Sequence, residues 1–195
     1  AVAGFEPPTH CWTEMSQAER DQMEKDLLAE AGYGPANKLE FEMVYNTSEA
    51  HEKVAVALSQ LWKQKLGVQA TLANMEWKVF LEERGNQNFE MARGAWCGDY
   101  NEASTFLDLL TSNNANNDGK YISEEFDQLM DEAAKADDPQ PLYTQAEEVL
   151  ARDMAIIPIY HYTQNFVLNP EVRNWPMENA ENNWYVRDLY RAAAE

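Results

Sequence analysis

Basic residues are scarce in this chain: 15 Lys and Arg stand against 34 Asp and Glu, a formal net charge of −19. So acidic a chain repels a phosphate backbone, which excludes nucleic acid as a partner. Cysteine is almost absent. Cys11 and Cys97 sit in no CxxC or Cys/His spacing, so a structural zinc site is excluded, while one disulfide or two thiols both stay open. No apolar run approaches the ~20 residues that a membrane-crossing helix needs. Gly94 and Gly98 make neither GxGxxG nor a P-loop, and the Asn-rich run 113–119 lacks the EF-hand pattern, so no nucleotide, calcium or other cofactor is implied. There is no internal repeat, low-complexity linker or signal peptide. The chain opens at Ala1 and not at Met, which fits a processed or excised product.

What is present is a folding composition: 195 residues, 45% hydrophobic and 11% aromatic, with six Trp and nine Tyr. The first fourteen residues, with Pro7-Pro8, read as an irregular arm. Ser16 to Glu19 is a capping box opening a helix whose apolar face is Met23, Leu27 and Ala31, stopped by Gly32. Leu39 to Tyr45 alternates as a strand. A second helix, capped by Thr47 or Ser48, carries the stripe Val54, Ala57, Leu58, Leu61 and Trp62. Val68 to Leu72 reads as a strand, Trp77 to Arg84 as a helix, and Phe89 to Ala95 as a third strand. This order is that of an α/β layer with parallel pairing, in which ligands collect where strands end. Ser112 to Gly119 reads as a surface loop. Two helices follow, marked by Phe126, Leu129, Met130 and Ala133, then by Leu142, Ala146, Val149 and Leu150. Ile156 to Tyr160 reads as a strand at an edge or bulge because of Pro158, and the tail from 169 to 195 reads as irregular. One domain is expected.

Three constellations carry chemistry. Cys97 with His51 and Asp99 has the residue types of a thiol hydrolase, but its spacing matches no local signature. Asp99 with Glu102 has those of a glycosidase pair, which an acidic chain offers by coincidence. Arg84 and Arg93 flank a strand with Asp99 just beyond it. A guanidinium holds a carboxylate through two parallel bonds and a desolvated Asp holds an ammonium, so this set suits a zwitterion.

The segments 31–35 (AGYGP), 45–49 (YNTSE), 76–78 (EWK) and 93–106, above all Gly98-Asp99-Tyr100-Asn101-Glu102, resemble the oligopeptide-binding proteins of peptide ABC transporters. These are family 5 solute-binding proteins, and their murein-peptide-binding members are nearly as close. Residues 143–147 (YTQAE) and 157–160 (IPIY) continue the likeness in register. The resemblance implies an α/β fold: the C-terminal lobe of a type II periplasmic-binding-protein-like architecture, a mixed sheet flanked by helices, incomplete because family members are much longer. It implies periplasmic capture of short peptides, completed by an N-terminal lobe and delivered to an ABC transporter permease. Asp99 would take the peptide ammonium, and Arg93 and Arg84 the terminal carboxylate of peptides of different length. His51, Trp77, Leu81, Trp96 and Tyr162 would line side-chain pockets, with Asn46 and Cys97 close by. Ala103 stands where the family carries Pro. The partner of Cys97 in the family lies upstream of the matched stretch, so Cys97 is expected to be unpaired. The readings held against peptide capture are the Cys97-dependent hydrolase and an interaction domain without ligand.

Overall fold

Residue Ser16 starts the first helix through its own side chain. Its hydroxyl accepts the Glu19 amide, and the Ser16 amide donates to Glu19 Oε2 at 2.8 Å, a reciprocal capping box. The resulting helix α1 is Gln17–Glu30 in the computed structural model, which describes residues 2, 4–163, 165–177 and 183–192. It is followed by β1 (Glu40–Asn46), α2 (Glu49–Leu66), β2 (Gln69–Met75), α3 (Trp77–Gly85), β3 (Met91–Ala92), α4 (Ser104–Leu107), α5 (Glu124–Ala133), α6 (Gln140–Asp153), β4 (Val172–Arg173) and β5 (Tyr190–Arg191). Where sequence reading expects one domain, the described residues gather into two compact units. One comprises Thr9–Ala95 with Asp118–Lys120; the other comprises Ala1–Pro8, Trp96–Asn117 and Tyr121–Glu195.

The first is a sheet unit. β1 is central, with β2 and β3 parallel on its two sides; Met43 stands opposite Leu72 and Met91, and Val44 opposite Ala73 and Ala92. A central parallel strand is covered on both faces, so Met43, Val44 and Tyr45 are all buried in succession. Helix α2 makes the crossover between β1 and β2 with only part of its predicted apolar stripe inward: Val54, Leu58 and Trp62 are partly covered. Ala55 and Ser59 are buried and Leu58 and Trp62 pack on the core, while Leu61 stays half exposed and Ala57 exposed. The helix carries more apolar positions than one face can use. Small residues at 55 and 59 let it approach the sheet closely. The α1 face is likewise displaced: Met23 and Leu28 are partly covered and Leu27 is exposed.

The second is a helical unit. Its core is Ala103 and Leu107 beside α4, Phe126, Met130 and Ala133 from α5, and Tyr143, Ala146, Val149 and Leu150 from α6, close to the expected sets. The Asn-rich loop is less of a surface loop than its polarity implies. Asn117 is only 1% exposed, donates to the Thr111 and Tyr121 carbonyls (3.2 and 2.7 Å) and accepts the Tyr121 amide (3.0 Å). One amide side chain thus replaces the backbone pairing that the loop lacks.

Two strand expectations are corrected. The third strand shrinks from 89–95 to two residues, because only Met91 and Ala92 stand in ladder register with β1. Residues 156–160 form no strand among the described residues: Ile156, Ile157, Ile159 and Tyr160 are each about half exposed. An extended segment becomes a strand only where another edge satisfies its amides. The tail contains one short antiparallel pair, β4 with β5, so parallel and antiparallel pairing occur in separate sheets. The first fourteen residues hold a single 3-10 turn, Cys11–Thr13.

Candidate peptide-binding site

The parallel register brings the carboxyl ends of β1 and β3 side by side. Asn46 closes β1, and Arg93 follows β3 with its amide donating to the Val44 carbonyl at 2.9 Å. The Arg93 guanidinium donates to Asn46 Oδ1 at 3.4 Å. His51, in the first turn of α2, faces the same group. Partial burial and then the positive charge of Arg93 push its pKa below the usual histidine value, while a hydrogen bond with the Asn46 backbone acts the other way. Burial and the Arg93 charge thus both disfavour a second cation on His51 at the strand ends. Of the two expected caps, Ser48 takes the N-cap position of α2 without a side-chain cap bond, and Thr47 directs its hydroxyl to Asn74 Oδ1 (2.8 Å) and the Met75 carbonyl (3.0 Å), tying the end of β1 to β2.

Helix α3 leaves directly from β2. Glu76 caps it by accepting the Lys78 amide at 2.8 Å. Trp77, Leu81 and Arg84 recur at helical spacing, with Trp77 and Leu81 nearly half exposed, while Phe80 is fully buried beneath them. Trp77 stacks on Phe80 with centroids 6.1 Å apart. Arg84 lies over the other part of the same ring and forms an ion pair with Asp118. Of the residues expected in the site, Asn46, His51 and Arg93 are brought together; Trp77 and Leu81 share one exposed helical surface, and Arg84, at helical spacing from them, is largely covered.

The helical unit holds Trp96, Cys97, Asp99 and Tyr162. The loop at 98–104 is pinned from below. The Asp99 amide donates to Thr105 Oγ1 at 2.9 Å, and a Cβ at Gly98 would come within 3.2 Å of the Phe106 ring and the Thr105 methyl, so glycine permits the close turn. The Asp99 carboxylate is left exposed, as are Trp96 and the Cys97 thiol; both cysteines are free. Glu102, the other half of the glycosidase pair, accepts from Tyr143 (2.9 Å) and Ser104 (2.7 Å), and the Tyr100 and Ser104 hydroxyls lie 3.0 Å apart. Its oxygens are thus spent on structure. Sequence reading missed this network, although Tyr143 at a core position of α6 was the available signal: a buried phenol requires a partner. It also missed Asp108, whose pKa is raised by burial and then by Glu102, in a cleft of about 400 Å³ lined further by Met130 and Pro139. Tyr162 is 55% exposed with its ring 4.9 Å from that of Tyr160. Among the described residues no group of His, Cys, Asp or Glu could hold a metal ion, and no helix is long and apolar enough to cross a membrane.

A parallel β-α-β layer that gathers polar, cationic and aromatic side chains at the carboxyl ends of its strands defines an α/β ligand-binding module. The chain belongs to the bacterial extracellular solute-binding proteins, family 5: the family's profile, described as its middle part, matches residues 5–118. It is 39% identical over 192 residues to the periplasmic murein peptide-binding protein MppA of Escherichia coli, covering 97% of this chain and 36% of that protein. It is 42% identical over 182 residues to the periplasmic oligopeptide-binding protein OppA of Salmonella typhimurium, covering 92% and 34%. The solved structure of Escherichia coli MppA superposes with a TM-score of 0.89 at 38% identity, covering 99% of this chain and 38% of that one. The chain thus spans about a third of the length of the curated relatives it matches.

Proposed function

We propose that the chain takes part in extracytoplasmic capture of short peptides for delivery to an ABC transporter permease. The observation that carries this reading is the cluster of Arg93, Asn46 and His51 at the carboxyl edge of the sheet, which would offer one cation to a ligand carboxylate. The names of the relatives, a murein peptide-binding and an oligopeptide-binding protein, both periplasmic, support the ligand class and the compartment. Asp99, exposed on a loop held by Thr105 and Gly98, is the proposed acceptor for a peptide ammonium. Trp77, Leu81, Trp96 and Tyr162 are exposed rings and apolar stems suited to side chains of varied shape, with Cys97 nearby in sequence. Fixed charges would grip the termini that every peptide has, and main-chain pairing would add affinity without reading sequence. The lobe that completes the site is proposed to lie in the two-thirds of the relatives that this chain does not match.

Calorimetry with alanine peptides of two to six residues on the full-length protein tests the reading. Asp99→Ala should weaken binding by roughly 30-fold or more, as for one partner of a desolvated charge pair. Unchanged affinity would remove Asp99 from the site, and no binding at any length would overturn peptide capture. A second reading, an interaction domain without ligand, is favoured by one observation: the run of half-exposed apolar side chains from Ile156 to Tyr162. That reading gains if the full-length protein binds no peptide.

A further inference from the structure

The two arginines expected to serve ligand carboxylates are in different circumstances. Arg84 sits in the last turn of α3, where the helix dipole already favours a cation. Its guanidinium carbon is 5.4 Å from the centroid of the buried Phe80 ring. The remaining interaction is an ion pair with Asp118, and the two side chains are only 20% and 23% exposed. Asp118 is itself held in place, since its carbonyl accepts from the Gln87 side-chain amide at 3.2 Å. The segment Asp118–Lys120 consequently clusters with the sheet unit, although the residues on both sides of it belong to the other.

A guanidinium that has accepted one carboxylate in a poorly hydrated place does not welcome a second. The incoming anion meets the charge of the first and must displace it or be repelled. We propose that Asp118 is a specificity-determining residue, a built-in carboxylate that occupies Arg84, so that the protein discriminates against peptides whose length would bring their terminal carboxylate to the end of α3. This rests on the peptide-capture reading above. Asp118 acts through Arg84 and is a positioning residue for it. Its signature is a length-dependent preference between free-acid and amidated peptides, which a purely structural staple would not move.

The test uses the full-length protein that carries this chain and alanine peptides of two to six residues, each with a free or an amidated carboxyl end. Calorimetry gives the free-acid to amide affinity ratio at every length. Asp118→Asn is expected to raise that ratio about tenfold at one length where the parent shows little preference, the scale of one charge-assisted pair. The gain should vanish in Asp118→Asn combined with Arg84→Gln, and Asp118→Glu, which keeps the charge, should retain the parental ratios. Thermal melts establish that each variant is folded, and should Asp118→Asn not fold, the Asp118→Glu and Arg84→Gln profiles decide the matter alone. Ratios unchanged at every length in a protein that binds peptides would overturn the role of Asp118 only. So would an Arg84→Gln variant that loses free-acid preference in the parental background. A parent that binds no peptide would sink both this inference and the function beneath it.

Discussion

Individual residues in this chain are decided by whether their polar atoms find partners. Asp108 is half buried in the cleft with Glu102, and both burial and that neighbour raise its pKa. A carboxyl whose folded pKa exceeds its unfolded value near 3.8 binds more protons when folded. Its charge therefore costs nothing below that value, and stability is lost as pH rises through the folded pKa. Asp108→Asn is expected to raise the melting temperature at pH 7 and to make little difference below about pH 2.5, where both states are protonated; parallel melts at the two pH values check this. Asn117 is the opposite case, a fully buried amide with three good bonds. Asn117→Ala takes this partner from the Thr111 and Tyr121 carbonyls and the Tyr121 amide, and should cost about 2–3 kcal/mol in urea unfolding. Neither position stands out in the sequence: a lone Asp among Phe106, Leu107, Leu109 and Leu110 reads as the polar side of a helix, and an Asn in a polar run reads as solvated surface. Burial alone separates them from their neighbours.

At the scale of elements, ends were more legible than faces. The capping box at Ser16 and the stop at Gly67 are local chemistry, and both occur as the residue types require. Gly67 takes a left-handed φ of 73° with its amide on the Lys63 carbonyl, and a Cβ there would touch nothing within 4 Å. The cost of Gly67→Ala is then backbone strain alone, about 1 kcal/mol, measurable by chemical denaturation without change in the fold. Faces depend on what lies opposite. The α2 stripe offered Ala57 and Leu61, and the sheet instead took Ala55 and Ser59, whose small side chains allow a closer approach. Residues 156–160 show the same dependence for a strand: an apolar, β-branched run was present, but a partner edge among the described residues was not.

For the whole molecule, the main unresolved interaction is that segment. Met154, Ile156, Ile157, Ile159, Tyr160 and Tyr162 are all about half exposed, and an extended apolar stretch of this kind seeks an edge to pair with. The 195-residue chain by itself is expected to self-associate as its concentration rises, and Ile157→Lys with Ile159→Lys to shift it towards monomer. Sedimentation velocity over a concentration series measures both. A monomeric parent throughout the series would show the segment to be satisfied within the chain. Charge sets the background for any such contact, because at −19 the chain repels its own copies at low salt and added salt should strengthen the association.

The residues from Arg93 to Tyr100 were legible only as a candidate site, because two opposite charges and a glycine turn follow one another within eight positions. Local order of that kind determined the β-α-β-α-β sequence, the ends of its helices and the family likeness, since each depends on neighbours a few residues apart. The tertiary structure alone decided what distant residues do to one another. It joined Asp118 to Arg84 across 34 positions and Glu102 to Tyr143 across 41. It also set His51 beside Arg93, whose charge helps to lower the histidine pKa. Hydrogen bonds and Coulomb energies act through space, so a charge that looks available in sequence is available only if the fold has not already used it.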